Sequence, residues 1–275
     1  MSLSNFWYAV EHSVTLQEKP ISLTLLDQRY VIYRDSQGKA HALVDRCAHR
    51  GASLGEGWVE GDCIRCPYHG WSYDSSGSCV RIPADREGTP IPNRARMSPL
   101  PIQETNGFIW IFPGEPELAD PALIPPFPEF GQDGWRPVHG EYVWNANFSR
   151  VVESGLDTSH APFVHKPFFP NRDDAVVHPL DVKVTDHHVS TYVQLKPPKR
   201  LGLLKYIIKK DRDYSSSVLT GYLPCINRIA IDFNWRGYQY IYFASNIPVS
   251  DNLTLTKWIG VRNFLTQAWG DNNSM

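Results

Sequence analysis

No apolar run in this 275-residue chain approaches the roughly twenty residues that cross a bilayer as a helix, so no membrane span is expected. Net charge is also scarce. The 27 Lys and Arg nearly cancel the 29 Asp and Glu, and a balance of −2 exerts no global pull on nucleic acid or an anionic membrane. Cysteine is sparse, odd in number at five, and unevenly spaced. That does not resemble a secreted disulfide framework, and metal ligation is the better use for some of the thiols. The opening residues SLSNFWYAVEHS lack the basic and apolar regions of a signal peptide, so a cytoplasmic location is expected. Internal repeats and low-complexity tracts are missing as well.

What the chain does have is nine Trp, thirteen Tyr and 22 Pro, a composition that favours strands joined by irregular loops over a helical bundle. SLTLLD, RYVIYRD and AHALVD, between residues 22 and 45, read as short antiparallel strands with a turn at Ser36-Gln37-Gly38. GFIWIFPG, Gly107 to Gly114, is a strongly apolar strand that would close a first domain. Residues 116–137 are too rich in proline for a regular element and read as a connector. Beyond them LDVKVT, VSTYVQLK, SSVLTGYLP, INRIAIDFNW, QYIYFASNIPV and LTLTKWIGVRNF predict a broad antiparallel sheet with one face toward an interior.

Between Cys47 and Asp74 the chain reads CAHRGASLGEGWVEGDCIRCPYHGWSYD. Cys47 and His49 stand in one tight loop, Cys66 and His69 in another. Two Cys and two His can bind structural zinc tetrahedrally, and zinc is the first alternative. Zinc fingers usually group like ligands, however. Here each loop is mixed, as is needed when two loops clamp a two-iron cluster with both thiolates on one iron and both imidazoles on the other. Cys63, Cys79 and Cys225 read as small buried residues.

The pattern CxH, about sixteen residues, then CPYHGWxY resembles the Rieske 2Fe-2S motif of the ring-hydroxylating oxygenases, and the chain is identified as a member of that family's terminal oxygenase (alpha) components. The resemblance implies Cys47 and Cys66 on the inner iron and His49 and His69 on the outer one, with Arg50, Gly51, Gly70 and Trp71 packing around the cluster. It implies an α+β chain: an all-β Rieske domain over 1–115, the connector 116–137, and a catalytic domain over 138–275 whose curved antiparallel sheet grips helices.

A second stretch, NFSRVVESGLDTSHAPFVH from Asn147 to His165, reads from its residues as a helix over 147–160 that puts Glu153, Asp157 and His160 on one face. Pro162 would stop this helix and let His165 fold back toward His160. Two imidazoles and a carboxylate suit Fe(II), and a polar helix with two surface histidines is the plainer alternative. The spacing resembles the mononuclear iron motif of the same family. That resemblance implies His160 and His165 as iron ligands and Asp157 as the acid bridging to a Rieske histidine, with His69 the choice. It places that histidine on a neighbouring subunit of a head-to-tail homotrimer. Glu153 is a candidate proton relay, with a surface or capping role equally open.

The third iron ligand of the family is a carboxylate on a later helix. Asp271 is nearest but sits in a loop-like setting, so a natural chain longer than 275 residues is expected to supply it. Expected function is oxygenation of an aromatic or polycyclic small molecule by hydroxylation or oxidative demethylation. It would use O2 and electrons drawn from NAD(P)H through a ferredoxin or flavin reductase. The alternatives are cis-dihydroxylation and a Rieske electron-transfer or redox protein. Lys196 to Asp213, rich in Lys and Arg, reads as a solvated insertion, with a lid or a basic dock for an acidic ferredoxin as the second reading. Phe163, Phe168, Phe169, Tyr222, Phe233, Trp235, Tyr240 and Tyr242 are candidates for an apolar pocket or core.

Overall fold

The computed structural model describes residues 3–165, 180–195, 215–234 and 236–266. The basic segment, Phe168, Phe169, Trp235 and Asp271 therefore lie outside the described residues. The chain divides into two compact units, Met1–Ile124 with Ile247–Leu253, and Pro125–Asn246 with Thr254–Met275.

The sheets of the first unit are antiparallel. β1 (Tyr8–His12), β10 (Phe108–Ile111) and β9 (Ile102–Thr105) form one three-stranded sheet, and β2 (Ile21–Leu25), β3 (Gln28–Arg34) and β4 (Ala40–Val44) form another. β5 (Trp58–Glu60), β6 (Cys63–Arg65), β7 (Ser72–Tyr73) and β8 (Cys79–Arg81) make a four-stranded sheet. The FIWI of β10 is buried along its whole length, as a continuous apolar run of strand length demands. The strand read through SLTLLD stops at Leu25, because Leu26 and Asp27 turn with φ of 54° and 61°. Their amides donate to the Pro248 and Val249 carbonyls, which holds a turn that leucine disfavours and aspartate tolerates.

Two short 3-10 turns, Pro116–Leu118 and Pro121–Leu123, occupy the proline-rich stretch. In the second unit a seven-stranded antiparallel sheet runs in the order β11 (Arg136–Trp144), β17 (Leu253–Arg262), β16 (Gln239–Ser250), β15 (Ile226–Asp232), β14 (Ser215–Tyr222), β13 (His188–Leu195) and β12 (Asp181–Val184). Helix α1 (Phe148–Leu156) lies on β14 and β15, and a single-turn helix α2 (Ala161–Val164) follows. Two glycines permit the close approach. A Cβ on Gly155 would stand 2.8 Å from the Asn227 side chain, and one on Gly221 would stand 2.9 Å from Leu156 Cδ1.

The helix is shorter than the spacing of Glu153, Asp157 and His160 predicts. It ends at Leu156, and Asp157 caps it with extended backbone. Asp157 Oδ1 accepts from the Ser159 amide at 2.8 Å and the Ser159 hydroxyl at 2.6 Å. This local turn competes with helix continuation. Pro162 does not stop α1 either. It sits in the first turn of α2, where its missing N–H costs nothing.

Candidate metal centres

The first centre is built from two loops of one design, one following β4 and one joining β6 to β7. In each, the cysteine amide donates to the carbonyl five residues on, Cys47 to Ala52 and Cys66 to Trp71, both at 2.9 Å. A glycine amide four residues on returns to the cysteine carbonyl, Gly51 at 2.8 Å and Gly70 at 2.9 Å. Closing so short a loop puts both glycines in the left-handed region, at φ of 74° and 70°.

These loops separate the donors by type. Cys47 and Cys66 point into the core at 3% and 1% exposure, among Leu43, Leu54, Ile64 and Tyr73. His49 and His69 are exposed, with ring centroids 4.7 Å apart. Thiols inside and imidazoles outside is the division a cluster with one thiolate-bound and one imidazole-bound iron requires. The Trp71 indole lies flat on His49, centroids 4.6 Å apart and planes within 2°, while the Tyr68 ring approaches His69 at 3.9 Å.

The sulfurs also have hydrogen-bond donors nearby. The Tyr73 hydroxyl lies 3.1 Å from Cys47 Sγ. Burial pushes the Cys66 thiol up, and the Tyr68 and His69 backbone amides pull it the other way. His49 is held below the ordinary imidazole value by desolvation, then by His69 and Arg50, which favours the neutral ligand form. All five cysteines are free thiols; Cys79 and Cys225 are buried as expected, and Cys63 is half-buried. Burial raises the Cys225 thiol to about 12, which keeps it protonated and inert.

One supporting residue escapes sequence reasoning. Asp45, fully buried at the end of β4, accepts from the Ser22 hydroxyl at 2.6 Å, the Ser53 hydroxyl at 2.5 Å, and the Leu54 and Gly55 amides. It ties down the chain leaving the Cys47 loop.

The second centre follows α1. Asn147 caps the helix by accepting from the Ser149 amide, so the helix starts where the sequence predicts. The turn after Leu156 and the single turn of α2 then bring His160 Nε2 to 3.3 Å from His165 Nε2. Two ring nitrogens facing each other at this distance fit a shared divalent metal ion, for which Zn–N bonds of about 2.0–2.1 Å set the scale. Asp157 Oδ2 lies 3.3 Å from His160 Nδ1, a contact that would leave Nε2 as the nitrogen free to bind a metal. Ser159's hydroxyl and amide, and then His160, hold the Asp157 carboxyl below its usual range. Desolvation, then His160, lowers His165, which favours the neutral imidazole a metal would need. Glu153 pairs with Arg150 at 2.6 Å on the exposed side of α1. Among the described residues, no third His, Cys, Asp or Glu side chain joins His160 and His165 around a single ion.

Comparison with known proteins matches residues 6–101 to the Rieske [2Fe-2S] domain and residues 144–273 to the vanillate O-demethylase oxygenase C-terminal domain. The oxygenase component of dicamba O-demethylase from Stenotrophomonas maltophilia is 36% identical over 162 residues, 59% of this chain and 47% of that protein. The toluene-4-sulfonate monooxygenase system iron-sulfur subunit TsaM1 of Comamonas testosteroni is 36% identical over 166 residues, 60% and 47% of the two chains. This chain thus spans about half the length of the curated relatives it matches. The crystal structure of dicamba monooxygenase bound to dicamba superposes with a TM-score of 0.82 at 25% identity, covering 96% of this chain and 78% of that one. With a Rieske domain carrying the paired Cys-His loops and a vanillate-demethylase-type domain carrying the His160–His165 pair, the chain belongs to the Rieske-type terminal oxygenases.

Proposed function

We propose that this chain is the terminal oxygenase of a system that hydroxylates or oxidatively demethylates an aromatic or polycyclic small molecule. The observation that carries the reading is one chain holding both donor sets, the segregated thiol and imidazole pairs and the facing Nε2 atoms of His160 and His165. When bound, a 2Fe-2S cluster and a mononuclear Fe(II) supply one-electron transfer and oxygen activation. Cys47 and Cys66 would hold the cluster on its buried side, and His49 and His69 would hold it on its exposed side. His160 and His165 hold the mononuclear iron, and Asp157 orients His160 through Nδ1.

Asp157 is 43% exposed at its side chain. That leaves it open to a second imidazole, and His69 of a neighbouring subunit is the proposed partner in a cytoplasmic homotrimer. NAD(P)H, acting through a ferredoxin or flavin reductase, is the proposed source of electrons. The relatives named for O-demethylation and monooxygenation favour these outcomes over cis-dihydroxylation.

Iron counting and oxygen uptake test the proposal. The reconstituted chain is expected to hold cluster iron plus a further Fe(II) lost in His160→Ala, and to consume O2 only with substrate from a panel of aryl methyl ethers and aryl sulfonates. Cluster iron alone, with no oxygen uptake, would instead make it an electron carrier.

A further inference from the structure

The face of the sheet under α1 carries a relay of side-chain hydrogen bonds that the proposed chemistry does not use. Trp144 Nε1 on β11 donates to Thr256 Oγ1 on β17 at 2.9 Å. Thr256 donates to Asn246 Oδ1 on β16 at 2.8 Å, and Asn246 Nδ2 donates to Asn227 Oδ1 on β15 at 2.7 Å. Asn227 Nδ2 donates in turn to the Val152 carbonyl of α1 at 3.1 Å. Every bond runs in one direction, so each polarises the next. Asn227, Asn246 and Thr256 are 3%, 2% and 2% exposed.

Such a relay is a poor way to gain stability. The strands already pair through their backbones, and apolar residues of similar shape in place of buried polar partners are often neutral or better. What it supplies is registry. Its ends are the strand that leads into α1 and the middle of α1 at Val152, five residues before Asp157. A second bond, Thr254 Oγ1 to the Ala146 carbonyl at 2.8 Å, fixes the chain just ahead of the helix cap.

We propose that the Trp144–Thr256–Asn246–Asn227 relay is a positioning device for the mononuclear centre. It locks α1 along the sheet so that Asp157, His160 and His165 leave the helix on one trajectory, and it rests on the reading of the two histidines as metal ligands. Thr256→Val exchanges only the hydroxyl for a methyl on a β-branched strand residue, and with it removes the first two of the relay's four bonds. In the reconstituted full chain, Fe(II) affinity at the mononuclear site, read by chelator competition, should fall about tenfold. The visible spectrum and potential of the Rieske cluster should stay as in the wild type. Thr256→Ser should restore the affinity. Trp144→Phe, which loses only the terminal donor from a partly exposed side chain, should weaken binding in the same direction by less.

Wild-type Fe(II) affinity in both Thr256→Val and Trp144→Phe would overturn the proposal, as would failure of Thr256→Ser to rescue. His160→Ala is measured alongside. Fe(II) binding that survives His160→Ala sinks the ligand assignment and the relay's role together. Binding lost in His160→Ala but unchanged in the relay variants sinks the relay alone.

Discussion

Gly155→Ala sets two effects of opposite sign against each other. In an exposed helix interior, alanine in place of glycine stabilises by about 1 kcal/mol. At this position the added Cβ would stand 2.8 Å from Cγ and Oδ1 of Asn227 and 2.9 Å from its Nδ2, where carbon contacts settle at about 3.5–4.0 Å. Asn227 has nowhere to retreat, since it is buried and its amide is bonded to Val152 and Asn246. Overpacking costs roughly 1–3 kcal/mol. Breaking one of the amide's bonds leaves a buried polar group unsatisfied, at about 1–3 kcal/mol more. Clash therefore wins, with a net loss on the order of 2 kcal/mol. Followed by urea unfolding with a slope of about 2–3 kcal/mol per molar, the midpoint should drop by a little under 1 M. Ser154→Ala, on the exposed side of the same helix, should instead gain a few tenths of a kcal/mol. A Gly155→Ala midpoint at or above wild type would mean that α1 does not approach the sheet as described.

Three other outcomes follow from the geometry. Tyr73→Phe removes the hydroxyl facing Cys47 Sγ, so the cluster should still assemble but at a lower reduction potential by protein-film voltammetry, because hydrogen bonds to cluster sulfurs raise it. Glu104 is held below its ordinary value of 4.5 mainly by its hydrogen bonds to Arg34, so that pair contributes above that value and is lost as pH falls through the lowered native one. With Glu104 more than a third exposed, Glu104→Gln should cost only on the order of 1 kcal/mol at pH 7, and the gap to wild type should close in denaturation series run below about pH 4. Asp157→Asn should keep the cluster spectrum and the mononuclear iron yet cut turnover sharply; full oxygen uptake in that variant would remove Asp157 from the electron path.

How legible each part was depends on how local its contacts are. The Rieske loops close on themselves within five residues, so cysteine, histidine and glycine spacing carries nearly the whole geometry. Trp71 stacked on His49 belongs to the same short motif. Asp45 does not: its partners lie at positions 22, 53, 54 and 55, and an aspartate at a strand end reads only as a turn residue. The relay under α1 is less visible still, because Trp144, Asn227, Asn246 and Thr256 come together only through the sheet order β11-β17-β16-β15. Two buried asparagines in β-rich sequence carry no local signal of what they hold.

At the second centre the candidate residues come with a local structure other than the helix their spacing predicts. At 3.6 residues per turn, positions five apart on an unbroken helix point about 140° away from each other. His160 and His165 could not share a metal from such a helix. The break makes convergence possible, and Asp157 makes the break by accepting the Ser159 amide and hydroxyl in place of a further helical turn. Pro162 then opens α2, whose single turn carries His165 back until the Nε2 atoms face at 3.3 Å. Asp157 thus has two roles in one carboxylate, Oδ1 ending the helix and Oδ2 orienting His160. A side-chain oxygen acceptor at this position serves the backbone and its charge serves the proposed chemistry, and the Asp-Thr-Ser-His-Ala-Pro sequence is better read as a helix ending than as a helix face.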